Sequence, residues 1–126
     1  MSAAVLDREL SRLESLWDDG LAESYRSYLD AVALYEPDQQ ARLALAAALV
    51  EVGLKLQGLG GPAAPPTALL MGDLCLARSS RILTDYAAKP VQIAFARAVE
   101  KLSSAAAARA AAPSVRDMLV RALAAQ

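Results

Sequence analysis

The segment from Asp38 to Gln57 carries large apolar residues on two opposite sides of a helix, and this constrains the fold more than any other feature. At 100° per residue, Leu43, Val50 and Leu54 share one side, while Leu45, Leu49, Val52 and Leu56 share nearly the other. A helix lying on a protein surface needs one apolar stripe, so two stripes predict packing on both sides. Glu51 and Lys55 fall between the stripes, spaced as an i,i+4 pair. Gly58, Gly60 and Gly61 end the segment, and Pro62, Pro65 and Pro66 prevent its immediate renewal.

A second doubly apolar helix follows, with Thr67 as its expected N-cap and its end near Ala88. One broad arc holds Leu69, Met71, Gly72, Cys75, Leu76, Ile82, Leu83 and Tyr86; Leu70, Leu74 and Ala77 form another patch, mixed with Asp73 and Arg81. The remaining segments are simpler. A helix over about Ala3 to Trp17 places Leu6, Leu10, Leu13 and Trp17 in one stripe and is interrupted at Asp18-Asp19-Gly20. The next puts Tyr25, Tyr28, Leu29, Val32 and Tyr35 on one face and ends at Glu36-Pro37. Pro90 opens a helix with the stripe Val91, Phe95, Ala98 and Leu102; after Pro113-Ser114, Val115 to Ala124 forms a short last one. No segment alternates like a strand. The expected architecture is a single all-α domain over 1–126, an antiparallel bundle of about six helices.

Composition narrows the function. Hydrophobic residues make up 56% of the 126 and mean hydropathy is +0.28, much of it from Ala. The surplus of large apolar side chains for so small a chain suggests a further buried surface, such as an oligomer interface. Thirteen basic and fourteen acidic residues are spread along the chain, so no basic block points to nucleic acid. The absence of His removes the commonest general base and metal ligand. The lone Cys75 forms no internal disulfide and reads as a small buried apolar residue rather than a nucleophile. The longest apolar run stops at Glu51, short of the roughly 20 residues a membrane span needs. Charges at Asp7 and Arg8 do not fit a signal peptide. A cytoplasmic location is the expectation.

Gly72-Asp73-Leu74, followed by Cys75-Leu76-Ala77-Arg78-Ser79, resembles the helix after the first aspartate-rich motif of trans-polyprenyl diphosphate synthases. Ala48-Leu49-Val50-Glu51-Val52 is similar to the approach to that motif, and the resemblance spans Leu43 to Leu102. Where the family has paired aspartates, this chain has Leu59-Gly60-Gly61-Pro62, and the Gly-Lys-x-x-Arg-Pro diphosphate motif is absent. Prenyl transfer releases pyrophosphate, which must be neutralised by Mg²⁺ held on carboxylates. Gly and Pro hold none. The near match Asp18-Asp19-Gly20-Leu21-Ala22-Glu23 reads as a capped or solvated turn.

The resemblance therefore implies a truncated isoprenoid-synthase-like fold and the non-catalytic small subunit of a heteromeric synthase of hexaprenyl or heptaprenyl type. Such a subunit carries no catalytic, cofactor or metal residues, and Mg²⁺ is expected only in the catalytic partner. Its contact surface is expected at Leu43, Val50, Leu54, Leu70, Gly72, Asp73, Leu74, Ala77 and Arg81. Asp73 reads either as an acceptor for a partner's Arg or helix-terminal N–H groups, or as paired within its own helix or with solvent. Arg78 and Arg81 read as contacts to a diphosphate or to partner carboxylates, or as solvated charge. Tyr25, Tyr28 and Tyr35 read as core or interface residues, or as the lining of a groove for an isoprenoid tail. The alternative function is a stand-alone, homo-oligomeric helical module, a homodimer included, that binds a lipid or a protein.

Overall fold

The computed structural model describes residues 14–59, 64–108 and 114–125. Among them are five α-helices and no strand: α1 (Ala22–Ser27), α2 (Pro37–Leu56), α3 (Pro66–Tyr86), α4 (Lys89–Ala107) and α5 (Val115–Leu123). The all-α class holds, with five α-helices among the described residues where about six are expected over the whole chain. Most of the expected first helix lies outside the described residues. Its last residues, 14–16, are helical and run into a kinked segment, Trp17–Leu21. Gly20 at φ 116° kinks the chain there, in a conformation that a side chain would resist. Asp19 (φ −98°, ψ 28°) and Gly20 leave helical geometry, so Asp18-Asp19-Gly20 interrupts the helix as expected and a second helix follows the kink.

The second expected helix is also corrected. It stops at Ser27, and a 3₁₀ turn, Asp30–Val32, carries the chain onward. Tight bonds mark the change: Ala31 N–H donates to Tyr28 O at 3.1 Å and Tyr35 N–H to Val32 O at 3.0 Å. The winding buries Tyr28 and Val32 completely, leaves Tyr25 and Tyr35 half-buried, and exposes Leu29. The tyrosines that face inward are therefore core.

The central element is α2. Leu43, Ala44, Ala46, Ala47, Ala48, Leu49, Val50, Gly53 and Leu54 are all buried, on several sides of the helix. Its many alanines let neighbouring helices approach closely on each side. It starts with Pro37 in the first turn, preceded by an extended Glu36 (φ −59°, ψ 145°), as a following proline requires. It ends in a Schellman arrangement around Gly58 (φ 74°), where Leu59 N–H donates to Leu54 O at 3.2 Å and Gly58 N–H to Lys55 O at 3.0 Å.

The main neighbour of α2 is α3, and the two run antiparallel. Gly53 meets Gly72; two turns along each helix, Ser79 Oγ donates to Ala46 O at 2.8 Å; two turns further, Gln39 Nε2 donates to Tyr86 O at 3.1 Å. The start of α3 is two residues earlier than expected. Pro66 opens it after an extended Pro65, and Thr67 lies inside the first turn without a capping bond. In α4 the expected single stripe is buried as read: Val91, Phe95, Ala98 and Leu102. This helix packs mainly on α5 and little on α3. Ser114 caps α5 by accepting from Asp117 N–H at 3.4 Å, and Leu119, Ala122 and Leu123 anchor it in the core. Tyr35 OH donates to Leu123 O and ties the last turn down.

Candidate interaction surface

The Gly53–Gly72 crossing sets how α3 is presented. With no side chain on either glycine, the two backbones lie so close that a Cβ built on Gly72 would stand 2.8 Å from Gly53 O. Around this crossing α3 buries Gly72, Cys75, Ser79 and Leu83. The opposite side of the same helix looks outward. Leu70 is 48% exposed, Ala77 and Arg81 are exposed, Asp73 is exposed and Leu74 is half-buried.

The expected surface residues thus divide into two groups. Leu70, Asp73, Leu74, Ala77 and Arg81 lie together along the outside of α3. Leu43, Val50 and Leu54 are corrected from surface to core, with exposures of 0%, 3% and 2%. Leu49 of the other stripe is buried as well, while Leu45, Val52 and Leu56 are half-buried, and the helices that pack on α2 within the chain are α3, α1 and α5. Gly72 is buried at the crossing, where it shapes the surface without forming part of it.

The polar residues on this face have local partners. Asp73 Oδ1 accepts from Gln57 Nε2 at 2.6 Å, across the α2–α3 turn. Arg81 Nε pairs with Asp85 Oδ2 at 3.1 Å, an exposed i,i+4 contact. Exposed pairs of this kind contribute only ~0–1 kcal/mol and leave the guanidinium free to rearrange.

Beside this face lies a groove of about 530 Å³ between α3 and α4. Its apolar lining includes Val50, Leu76, Leu83, Phe95 and Val99, and Glu100 stands among its lining residues. It exists because α4 leans on α5 and leaves α3 partly uncovered.

A third feature escaped the sequence reading. Glu51 does not pair with Lys55 as its spacing suggested. Its carboxylate accepts from Ser24 Oγ at 3.1 Å and Tyr28 OH at 2.5 Å, and meets Arg116 at 3.6 Å. Arg116 also lies 4.9 Å from the Tyr28 ring centre and donates to Ser27 O at 3.3 Å. One cluster thereby joins α1, α2 and α5. A charged residue between two apolar stripes was the available signal, but its partners are 27, 23 and 65 positions away (51 − 24, 51 − 28, 116 − 51). Burial, and then the Glu51 hydrogen bond, push the Tyr28 hydroxyl well above its usual pKa, with Arg116 opposing. A cleft of about 470 Å³ adjoins the cluster, with Asp19, Glu23 and Lys55 among its lining. Among the described residues no three His, Cys, Asp or Glu gather as a metal site.

Cys75 sits fully buried beside the crossing, and burial raises its thiol pKa from 9.0 to about 11. The unfolded thiol ionises first, so its contribution to stability is complete below pH 9 and is lost as pH rises from 9 towards 11. Urea midpoints measured across this range should fall more steeply for the wild type than for Cys75→Ala. Equal slopes would show that the thiol is not protected. At neutral pH a disulfide reagent should label the folded chain about 100-fold more slowly than the unfolded one.

These features define a small antiparallel helical bundle that turns one face of α3 and a neighbouring groove to the outside. No protein-family model, curated protein or solved structure matches the chain. Among the described residues no helix is long and apolar enough to cross a membrane.

Proposed function

We propose that this chain is the non-catalytic subunit of a heteromeric trans-polyprenyl diphosphate synthase, docking on its catalytic partner through the outside of α3. One observation carries the reading: the helix whose sequence resembles that family turns Leu70, Leu74 and Ala77 outward while Gly72, Cys75 and Leu83 on its other side are buried. The sequence at Leu59-Gly60-Gly61-Pro62 has no carboxylates, so Mg²⁺ and the diphosphate chemistry belong to the partner. The role of this chain is to stabilise the partner's active site and to help set product chain length. Co-expression with a catalytic subunit from the same genome tests this. The two should co-purify, and Leu70→Glu or Ala77→Arg should abolish co-purification while far-UV circular dichroism stays unchanged. The reading fails if the catalytic subunit does not co-purify and alone has full activity with the same product lengths.

The α3–α4 groove favours a second reading, a stand-alone module that holds an apolar ligand against Phe95, Leu76 and Val99. Under it, a hydrophobic fluorophore binds the free chain and Ala96→Arg, at the groove wall, removes the signal. Signal that persists unchanged in that variant would refute it.

A further inference from the structure

The outward stripe of α3 is complementary in charge to itself. Asp73 lies one turn before Ala77 and Arg81 one turn after it, and all three are exposed. Where two identical helices cross antiparallel about a two-fold axis, residues equally far before and after the crossing point face each other. An axis at Ala77 therefore sets Asp73 of one protomer opposite the partner's Arg81, and repeats that pair by symmetry. It also sets Leu70 opposite the partner's Thr84, and the small Ala77 lets the helices approach.

We infer that the free chain forms a two-fold homodimer through α3, centred on Ala77 and held in register by two Asp73–Arg81 ion pairs. Existing contacts do not stand in the way. Gln57 engages only Oδ1 of Asp73, and Asp85 engages only Nε of Arg81. Oδ2 and the terminal guanidinium nitrogens remain to meet across the axis. Pairing a parallel copy, or slipping the register by a turn, loses both ion pairs. A single helix pair buries about 1,000 Å² or less, the low end for specific interfaces, so the dimer is weak and concentration-dependent. This face is also the one proposed to meet the catalytic subunit, which makes the homodimer the form that such a partner would displace. The self-pairing itself does not depend on that role.

Sedimentation equilibrium of the full chain alone, from about 5 to 500 µM, spans the affinities expected of so small an interface. A monomer–dimer equilibrium is expected. Asp73→Arg and Arg81→Asp each replace two attractions by two repulsions and should weaken dimerisation about tenfold. The double variant Asp73→Arg/Arg81→Asp restores the pairs with reversed sign and should return within about threefold of the wild type. Circular dichroism checks that each variant is folded, as these exposed side chains allow. A wild type that stays monomeric throughout, or singles not rescued by the double, overturns the inference. So does a dimer undisturbed by Ala77→Arg. Because no catalytic subunit is present, a failed heteromer leaves this result standing, and a failed homodimer leaves the heteromer untouched.

Discussion

Gly72→Val is expected to destabilise the chain by about 3 kcal/mol, at the upper end for overpacking a close contact. A Cβ on Gly72 would stand 2.5 Å from Gln57 Cγ, 2.8 Å from Gly53 O and 3.2 Å from Gln57 Cδ. The Gln57 side chain is able to swing away, at the loss of its bond to Asp73, but the Gly53 carbonyl belongs to the α2 backbone. The two helices must separate. Gly72→Ala suffers the same clash and regains about 1 kcal/mol of helix propensity, so its net loss is roughly 1–2 kcal/mol. Gly53→Ala is milder, since its Cβ would meet Cys75 Cβ at 3.1 Å, Gly72 O at 3.1 Å and Leu76 Cγ at 3.3 Å. Its cost is expected to be within about 1 kcal/mol of zero after the same propensity gain. Urea denaturation gives the order directly. A Gly72→Ala protein as stable as the wild type would show that the crossing is looser than described.

Glu51→Ala should cost about 2–4 kcal/mol, far more than Tyr28→Phe at about 1 kcal/mol. Removing the carboxylate strands the fully buried Tyr28 hydroxyl, takes the acceptor from Ser24 and leaves Arg116 without its counter-charge. Removing the Tyr28 hydroxyl leaves Glu51 with both other partners. Glu51→Gln should fall between, because an amide oxygen still accepts from Tyr28 while the attraction to Arg116 is lost. Since Arg116 fastens α5 to α1 and α2, amide exchange in α5 should accelerate most in Glu51→Ala. A Tyr28→Phe loss equal to that of Glu51→Ala would remove Glu51 from the centre of the cluster.

The helix count and class were largely legible because local rules govern them. Pro90 opens a helix, Gly58 closes one, and the stripe of α4 buries as its spacing foretells, whereas Pro66, read as a break, stands in the first turn of α3. The segment after Tyr25 was misread because helical spacing alone does not register a change to 3₁₀ winding. That change follows from seating Tyr28 and Val32 in a core built by distant helices. The candidate surface was half legible. Leu70, Asp73, Leu74, Ala77 and Arg81 lie outward, whereas Leu43, Val50 and Leu54 lie inward. Two apolar sides on a helix state that both are covered, and say nothing of whether the cover is the same chain or another.

By itself the sequence determined the helical class, the turns at proline and glycine, and the presence of two helices apolar on both sides. Those properties depend on residues within a few positions of one another. Only the tertiary structure decided what covers each side. It buried Leu43, Leu49, Val50 and Leu54 of α2 within the chain, left the outside of α3 and the groove beside α4 open, and gave Glu51 partners from α1 and α5. The physical reason is that burial is shared between elements far apart in sequence. An apolar face records the need for a neighbour, and the packed fold supplies its identity.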